Sequence, residues 1–208
     1  MEGWRPVEDI VRWGFAHAPV VMANEAHSGL AQPDMRRLIG AALDLGWSLW
    51  AYEAVFEITA DTDQDRFRTM EFTNWREREQ AANLGRLLDA APGEPLLVWC
   101  GNGHAIKEQC DDWIPMGWHF RTMSGIDPFV IDQTVTIDFS GRSQPWVPEL
   151  LASLAETLAA HGGTAGILRD QAPPPLDGWT SVDALVVSTD NALTEDPVNE
   201  DPVNEDRA

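Results

Sequence analysis

Val20-Val21-Met22-Ala23-Asn24-Glu25-Ala26-His27-Ser28-Gly29 is an apolar run of strand length that ends abruptly in a carboxylate, an imidazole and small residues. Such a run reads as a buried strand delivering side chains to its C-terminal edge, where open α/β sheets bind their ligands. The pattern recurs twice. Trp47-Ser48-Leu49-Trp50-Ala51-Tyr52 ends in Glu53, and Pro95-Leu96-Leu97-Val98-Trp99-Cys100 ends in Gly101-Asn102-Gly103-His104. Three strand-like runs are therefore expected to bring two carboxylates and two imidazoles to one edge.

The flanking segments fit an α/β chain with a mixed, mostly parallel central sheet and helices on both faces. Pro6 precedes Val7, Ile10, Val11 and Phe15 at helical spacing. Pro33-Asp34 opens a helix through Leu38, Ala42 and Leu45, and Gly46 stops it. Strand, helix and strand in that order predict a parallel βαβ unit, with the 20–25 and 47–53 strands adjacent or nearly so. Asp61-Thr62-Asp63 offers caps for a helix through Phe67 and Met70. A further helix is predicted from Asn74 or Trp75 to Ala90, and a short one over 104–112. Trp113 to Gly117 is expected to be a loop. Phe129–Ile131 and Thr134–Ile137 read as a strand or hairpin arm. Pro148 to His161 reads as an amphipathic helix, and 165–168 and 184–187 as the last strands. Residues 1–189 are expected to be one domain. From about Asp190 the acidic repeat Glu-Asp-Pro-Val-Asn cannot bury a core, so 190–208 reads as a disordered tail.

Composition narrows the function. The formal charge of -20 repels nucleic acid and anionic membranes, so neither is an expected partner. Cys100 and Cys110, the two cysteines, are too few for a disulfide framework and read as unpaired thiols in a reducing compartment. Neither a signal peptide nor a span of roughly 20 apolar residues is seen, so a cytoplasmic location is expected. Ten Trp against one Tyr point to a Trp-rich core and cleft lining.

Glu25 and His27, two apart on extended backbone, face one side and can share a substrate or a water. His27 suits a general base near neutral pH, oriented by a neighbouring carboxylate. Glu53 ends an apolar run where a carboxylate needs a partner. His104 follows glycines that let backbone approach a ligand. Each residue alone is more often structural than catalytic; their recurrence at equivalent strand ends is what points to a shared site.

These segments resemble the erythromycin esterase and Tiki/TraB/ChaN-like superfamily. Val20 to Gly29 is similar to its Glu-x-x-His opening. Leu45-Gly46-Trp47 to Glu53 is similar to its second landmark, a Glu ending a strand. Arg76-Glu77-Arg78-Glu79-Gln80-Ala81-Ala82-Asn83 resembles the R-D-x-x-M-A-x-N helix of the esterase branch at Arg76, Ala81 and Asn83. Val98 to His104 resembles its second histidine motif, with Gly101-x-x-His104 closer to the Tiki and ChaN-like branches, and Pro115-Met116-Gly117 echoes a downstream Met-Gly. Asn24 stands where the esterase branch has Gly, and Glu25 and His27 are spaced one residue more closely. The chain is also much shorter than a macrolide esterase, so a macrolide cleft is not expected.

The resemblance implies an erythromycin esterase/ChaN-like fold and a hydrolase of a small-molecule ester or amide. Glu25, His27, Glu53 and His104 would be catalytic. Arg76 and Asn102 would bind substrate, with Arg76 and His104 serving the oxyanion or a substrate acid. The Tiki-like branch implies a divalent metal held by histidines and a Glu, and the ChaN-like branch implies haem, so cofactor use stays open. The alternative is a haem- or metal-binding protein without hydrolytic activity. His27→Ala and Glu53→Gln are each expected to abolish hydrolysis with little change in thermal midpoint, and His119 and His161 to be replaceable.

Overall fold

The computed structural model describes residues 3–25, 39–59, 64–101, 103–137, 148–173 and 181–189. Its strands are β1 (Val20–Glu25), β2 (Leu96–Gly101), β3 (Phe129–Ile137), β4 (Thr164–Leu168) and β5 (Ala184–Thr189). They form a five-stranded sheet in the order β2-β1-β3-β5-β4. β1 runs parallel to β2 and β3, and β3 parallel to β5, while β4 is antiparallel to β5. The four described helices of two turns or more are α1 (Val7–His17), α2 (Met70–Ala90), α3 (Met116–Ser124) and α4 (Pro148–Ala160), and residues 39–44 are also helical. This is a mixed, mostly parallel α/β architecture.

β1 is covered on both faces, which explains its unbroken apolar run. Val20, Val21 and Met22 are all fully buried. Alternation assigns them to two cores. Val20 and Met22 join Val98, Cys100 and Val130 beneath Ala81 and Leu84 of α2, Met116 and Phe120 of α3, and Leu154 and Leu158 of α4. Val21 and Ala23 join Phe129 and Ile131 beneath Ile10 of α1. Each fully buried large aliphatic stabilises the fold by about 1.5–3 kcal/mol.

The sequence reading differs from the structure in four places. Trp47 to Glu53 is not a strand. Both edges of β1 are already taken, by β2 along its whole length and by β3. The backbone carbonyls of Tyr52 and Glu53 accept the Asn83 amide at 3.0 and 3.2 Å instead of a ladder partner. Trp50 is left 69% exposed. The first parallel crossover therefore runs from β1 to β2.

The second difference is at 61–70. Gln64–Arg68 is a 3-10 turn, and α2 begins at Met70, a turn earlier than expected, because the Thr69 hydroxyl accepts the Phe72 N–H at 3.2 Å. Asp61, Thr62 and Asp63 lie outside the described residues. Thirdly, 104–112 is a series of turns rather than a helix, closed by a bridge between Cys110 and Trp113, and α3 starts at Met116 inside the expected loop. Fourthly, Phe129 to Ile137 is one strand with a register shift between Asp132 and Val135. The acidic repeat after 190 lies outside the described residues.

Candidate active site

Register places the ends of β1 and β2 side by side, with the Glu25 backbone opposite Gly101. Beyond Gly101 the chain turns back at once. The His104 N–H donates to the Gly101 carbonyl at 3.2 Å, and Gly103 adopts φ +82°, a conformation that favours glycine. A Cβ at Gly103 would lie 2.6 Å from the Trp113 ring. Gly117, at the start of α3, packs against the Ala105 carbonyl, and its N–H donates to the His104 carbonyl at 2.8 Å. His104 is thus fixed between the end of β2 and the first turn of α3.

α2 supplies the partners along two neighbouring stripes. Arg76, Gln80 and Asn83, at helical spacing, face the 52–54 segment. Arg76 grips Glu53 with both arms, Nε to Oε1 at 2.9 Å and Nη2 to Oε2 at 2.7 Å. Gln80 Nε2 donates to the same carboxylate at 2.9 and 3.0 Å, and the Ala54 N–H at 2.7 Å. Burial alone would raise the Glu53 pKa. The Arg76 hydrogen bond, followed by those from Ala54 and Gln80, outweighs it and holds the carboxyl below its ordinary value. The Arg76 pKa is correspondingly raised, chiefly by its hydrogen bond to Glu53.

The second stripe carries Asn74 and Glu77. Glu77 is 1% exposed, and its Oε1 lies 2.6 Å from His104 Nδ1. Trp113 Nε1 donates to Oε1 at 3.3 Å, and the Met116 N–H to Oε2 at 2.7 Å. Asn74 clamps the same loop, donating to the Asp112 carbonyl at 2.7 Å and accepting from the Ile114 N–H at 2.8 Å. The His104 ring remains 18% exposed. Tyr52 ties the 52–54 segment to β2, its hydroxyl donating to the Trp99 carbonyl at 2.8 Å. Burial, then the neighbouring Cys100, Glu53 and Glu77, push its pKa well above the usual phenol value.

Glu53, Phe56, Ile58, Phe67, Phe72 and Arg76 line a groove of about 350 Å³. Phe56 packs on Phe67 and Phe72 at 5.4 and 5.2 Å between ring centres, and Arg66 lies 5.6 Å over the Phe72 ring. A larger depression of about 600 Å³ is built on Trp4, Arg5 and the α1 residues Asp9, Arg12 and Trp13. None of the candidate residues lines it, and the chemistry is concentrated at the smaller groove and the 103–116 loop.

Of the six expected site residues, the structure brings Glu53 and Arg76 together and seats His104 on the residue next to Arg76 in α2. Glu25 is described by its backbone, and His27 and Asn102 lie outside the described residues. Glu77 and Gln80 were noted in sequence only as departures from a motif, and Trp113 only as a loop residue. The Arg76/Gln80/Asn83 spacing was the available signal for a polar stripe. Cys100 is buried and Cys110 half-buried. Among the described residues, no group of three His, Cys, Asp or Glu side chains is arranged to hold a metal ion. Nor is any helix long and apolar enough to cross a membrane.

No family model and no curated protein matches the chain. Among solved structures, it is similar to a mutant of the erythromycin esterase EreC in its open conformation, at 16% identity and a TM-score of 0.36. The match covers 72% of this chain and 40% of that one, so the chain spans well under half of that protein's length. The two differ too far in geometry for residue roles to pass from one to the other.

Proposed function

We propose that this chain is a hydrolase that activates water with a histidine–glutamate pair to attack a small-molecule ester or amide. The observation that carries this reading is the 2.6 Å contact between His104 Nδ1 and the buried Glu77 carboxylate. The two groups are in ion-pair contact without hydrogen-bond alignment, and turning the ring into line with the carboxylate sets the proton on Nδ1 and leaves Nε2 as the acceptor. The same carboxylate stabilises the imidazolium once Nε2 has taken the proton of the attacking water. The Met116 N–H and Trp113 Nε1–H fix Glu77 and keep this geometry.

Glu53 and Arg76 form the neighbouring wall. Arg76 uses Nε and Nη2 on Glu53, so Nη1 is the donor it has for a substrate oxygen or a developing oxyanion. Glu25, the last residue of β1, and His27 and Asn102, which follow β1 and β2 in sequence, complete the proposed site.

Turnover of p-nitrophenyl acetate, p-nitrophenyl butyrate and p-nitroacetanilide, before and after chelation, tests the reading. A hydrolase of this kind loses about 100-fold or more of its rate in His104→Ala. Equal rates in wild type and variant, or a haem absorption band on the purified chain without turnover, would overturn it.

A further inference from the structure

Asp132 lies on β3 and is fully buried. Its Oδ1 accepts the Thr134 N–H at 2.9 Å, while Oδ2 is buried with no partner among the described residues. No ion pair among those residues includes it. Next to it, the Gln133 Nε2 is also buried without a partner, and the Gln133 N–H donates to the side-chain oxygen of Asn24 at 2.9 Å. Buried polar atoms of this kind are rare in a finished fold, and each calls for a reason.

The topology supplies one. The β1–β3 ladder stops at Ala23 and Ile131, whereas β1 continues beside β2 to Glu25 and Gly101. β1 and β3 therefore part at Asn24 and Asp132, where β3 also shifts register. The chain leaving β1 leads to β2 on one side of the sheet, and the chain leaving β3 leads to β4 and β5 on the other. A crevice at such a switch point, at the carboxyl ends of the strands, is where open α/β sheets receive ligands. Asp132 stands two residues beyond Val130, Asn24 two beyond Met22, and Cys100 two beyond Val98. All three fall on the face covered by α2, the helix that carries Glu77.

We propose that Asp132 is the ligand-binding carboxylate at this switch point and receives an amine, as its ammonium, of a small-molecule ligand. Asn24 and Gln133 form the polar floor beside it. An ammonium supplies both what Oδ2 lacks, a hydrogen-bond donor, and what the buried carboxylate lacks, a cation. The proposal rests on this edge being the substrate site and narrows the substrate of the hydrolase to one bearing an amine.

Calorimetric titration of the full chain with benzylamine and with its neutral counterpart benzyl alcohol tests it. A buffer with 0.5 M NaCl screens diffuse attraction to the acidic surface. One saturable benzylamine site is expected, at least tenfold tighter than benzyl alcohol, and weakened at least tenfold in Asp132→Asn. Because the isosteric amide keeps the acceptor for Thr134, the variant's thermal midpoint should equal or exceed that of wild type. Equal affinity for amine and alcohol overturns the proposal. So does benzylamine affinity unchanged in Asp132→Asn, or saturable Zn²⁺ or Mg²⁺ binding at Asp132 in place of the amine. If Asp132→Asn does not fold, the amine-to-alcohol ratio on wild type decides alone. Amine binding without ester turnover would overturn the hydrolase reading only, and turnover without amine preference would overturn this one only.

Discussion

Glu77 of α2 and His104 of the loop after β2 meet at 2.6 Å, joining two segments that are 27 positions apart in sequence (104 minus 77) through a carboxylate that is 1% exposed. Glu77 also receives the Met116 and Trp113 donors, so it ties α2, the 103–115 loop and α3 into one unit. Glu77→Ala leaves the Met116 and Trp113 donors without their acceptor and removes the ion-pair contact of His104, and is expected to cost about 3–5 kcal/mol. Urea denaturation measures it. A loss below about 1 kcal/mol would mean that water replaces the carboxylate at no cost, and the unit is not built around Glu77.

Glu53→Gln is expected to behave in the opposite way. Its pair with Arg76 is half-exposed, so solvent screening limits the coupling to about 1 kcal/mol or less, which a double-mutant cycle with Arg76→Gln reads. Activity is expected to fall while the thermal midpoint moves little. Since the folded carboxyl has a lowered pKa, its contribution is complete above the unfolded value of 4.5 and is lost as pH falls through the lower, folded value. Wild type should therefore lose more stability below pH 4.5 than Glu53→Gln does.

His119, on α3, gives a second pH signature. Burial, and then the nearby Arg78 charge, lower its pKa below 6.5 against a smaller opposite pull from Glu77. Its Nε2 is buried without a partner among the described residues. A depressed histidine pKa contributes stability that is complete above 6.5 and is lost as pH falls through the folded value. His119→Leu should flatten the fall in thermal midpoint between pH 7 and pH 5 and leave ester turnover within about twofold, which lies well inside the 100-fold or greater effect expected of a general base. A collapse of turnover would place His119 in the machinery.

Gly103→Ala should separate geometry from chemistry. The substitution puts a side chain at φ +82° and drives it into the Trp113 ring. A backbone strained in this way costs on the order of 1–3 kcal/mol. Relief by displacing Trp113 would loosen Glu77 and His104 together, so the rate should fall with the midpoint. An unchanged midpoint, read by calorimetry, would show that the turn tolerates the added methyl.

Much of the frame was legible locally. Val20 to Glu25 and Leu96 to Gly101 are strands because each opens as an apolar run that gives way in sequence to polar and small residues, and α1 and α4 follow from helical spacing of apolar residues. The same local rule failed at Trp47 to Glu53. Its composition suits a strand, but β2 and β3 occupy both edges of β1, and the Tyr52 and Glu53 carbonyls accept the Asn83 amide rather than pairing with the outer edge of β2. Over 104–112 the helical pattern lost to Gly103 and to the grip of Asn74 and Glu77 on the loop.

The sequence by itself determined the α/β class and the apolar runs that become β1 and β2, because apolar periodicity and turn residues act over a few positions. Only the tertiary structure decided which carboxylate holds which partner. Arg76 and Glu77 are neighbours in sequence, yet a turn of about 100° around the helix axis sends one to Glu53 and the other to His104. It alone isolated Asp132, since burial and an unmatched oxygen depend on what every other segment leaves unfilled.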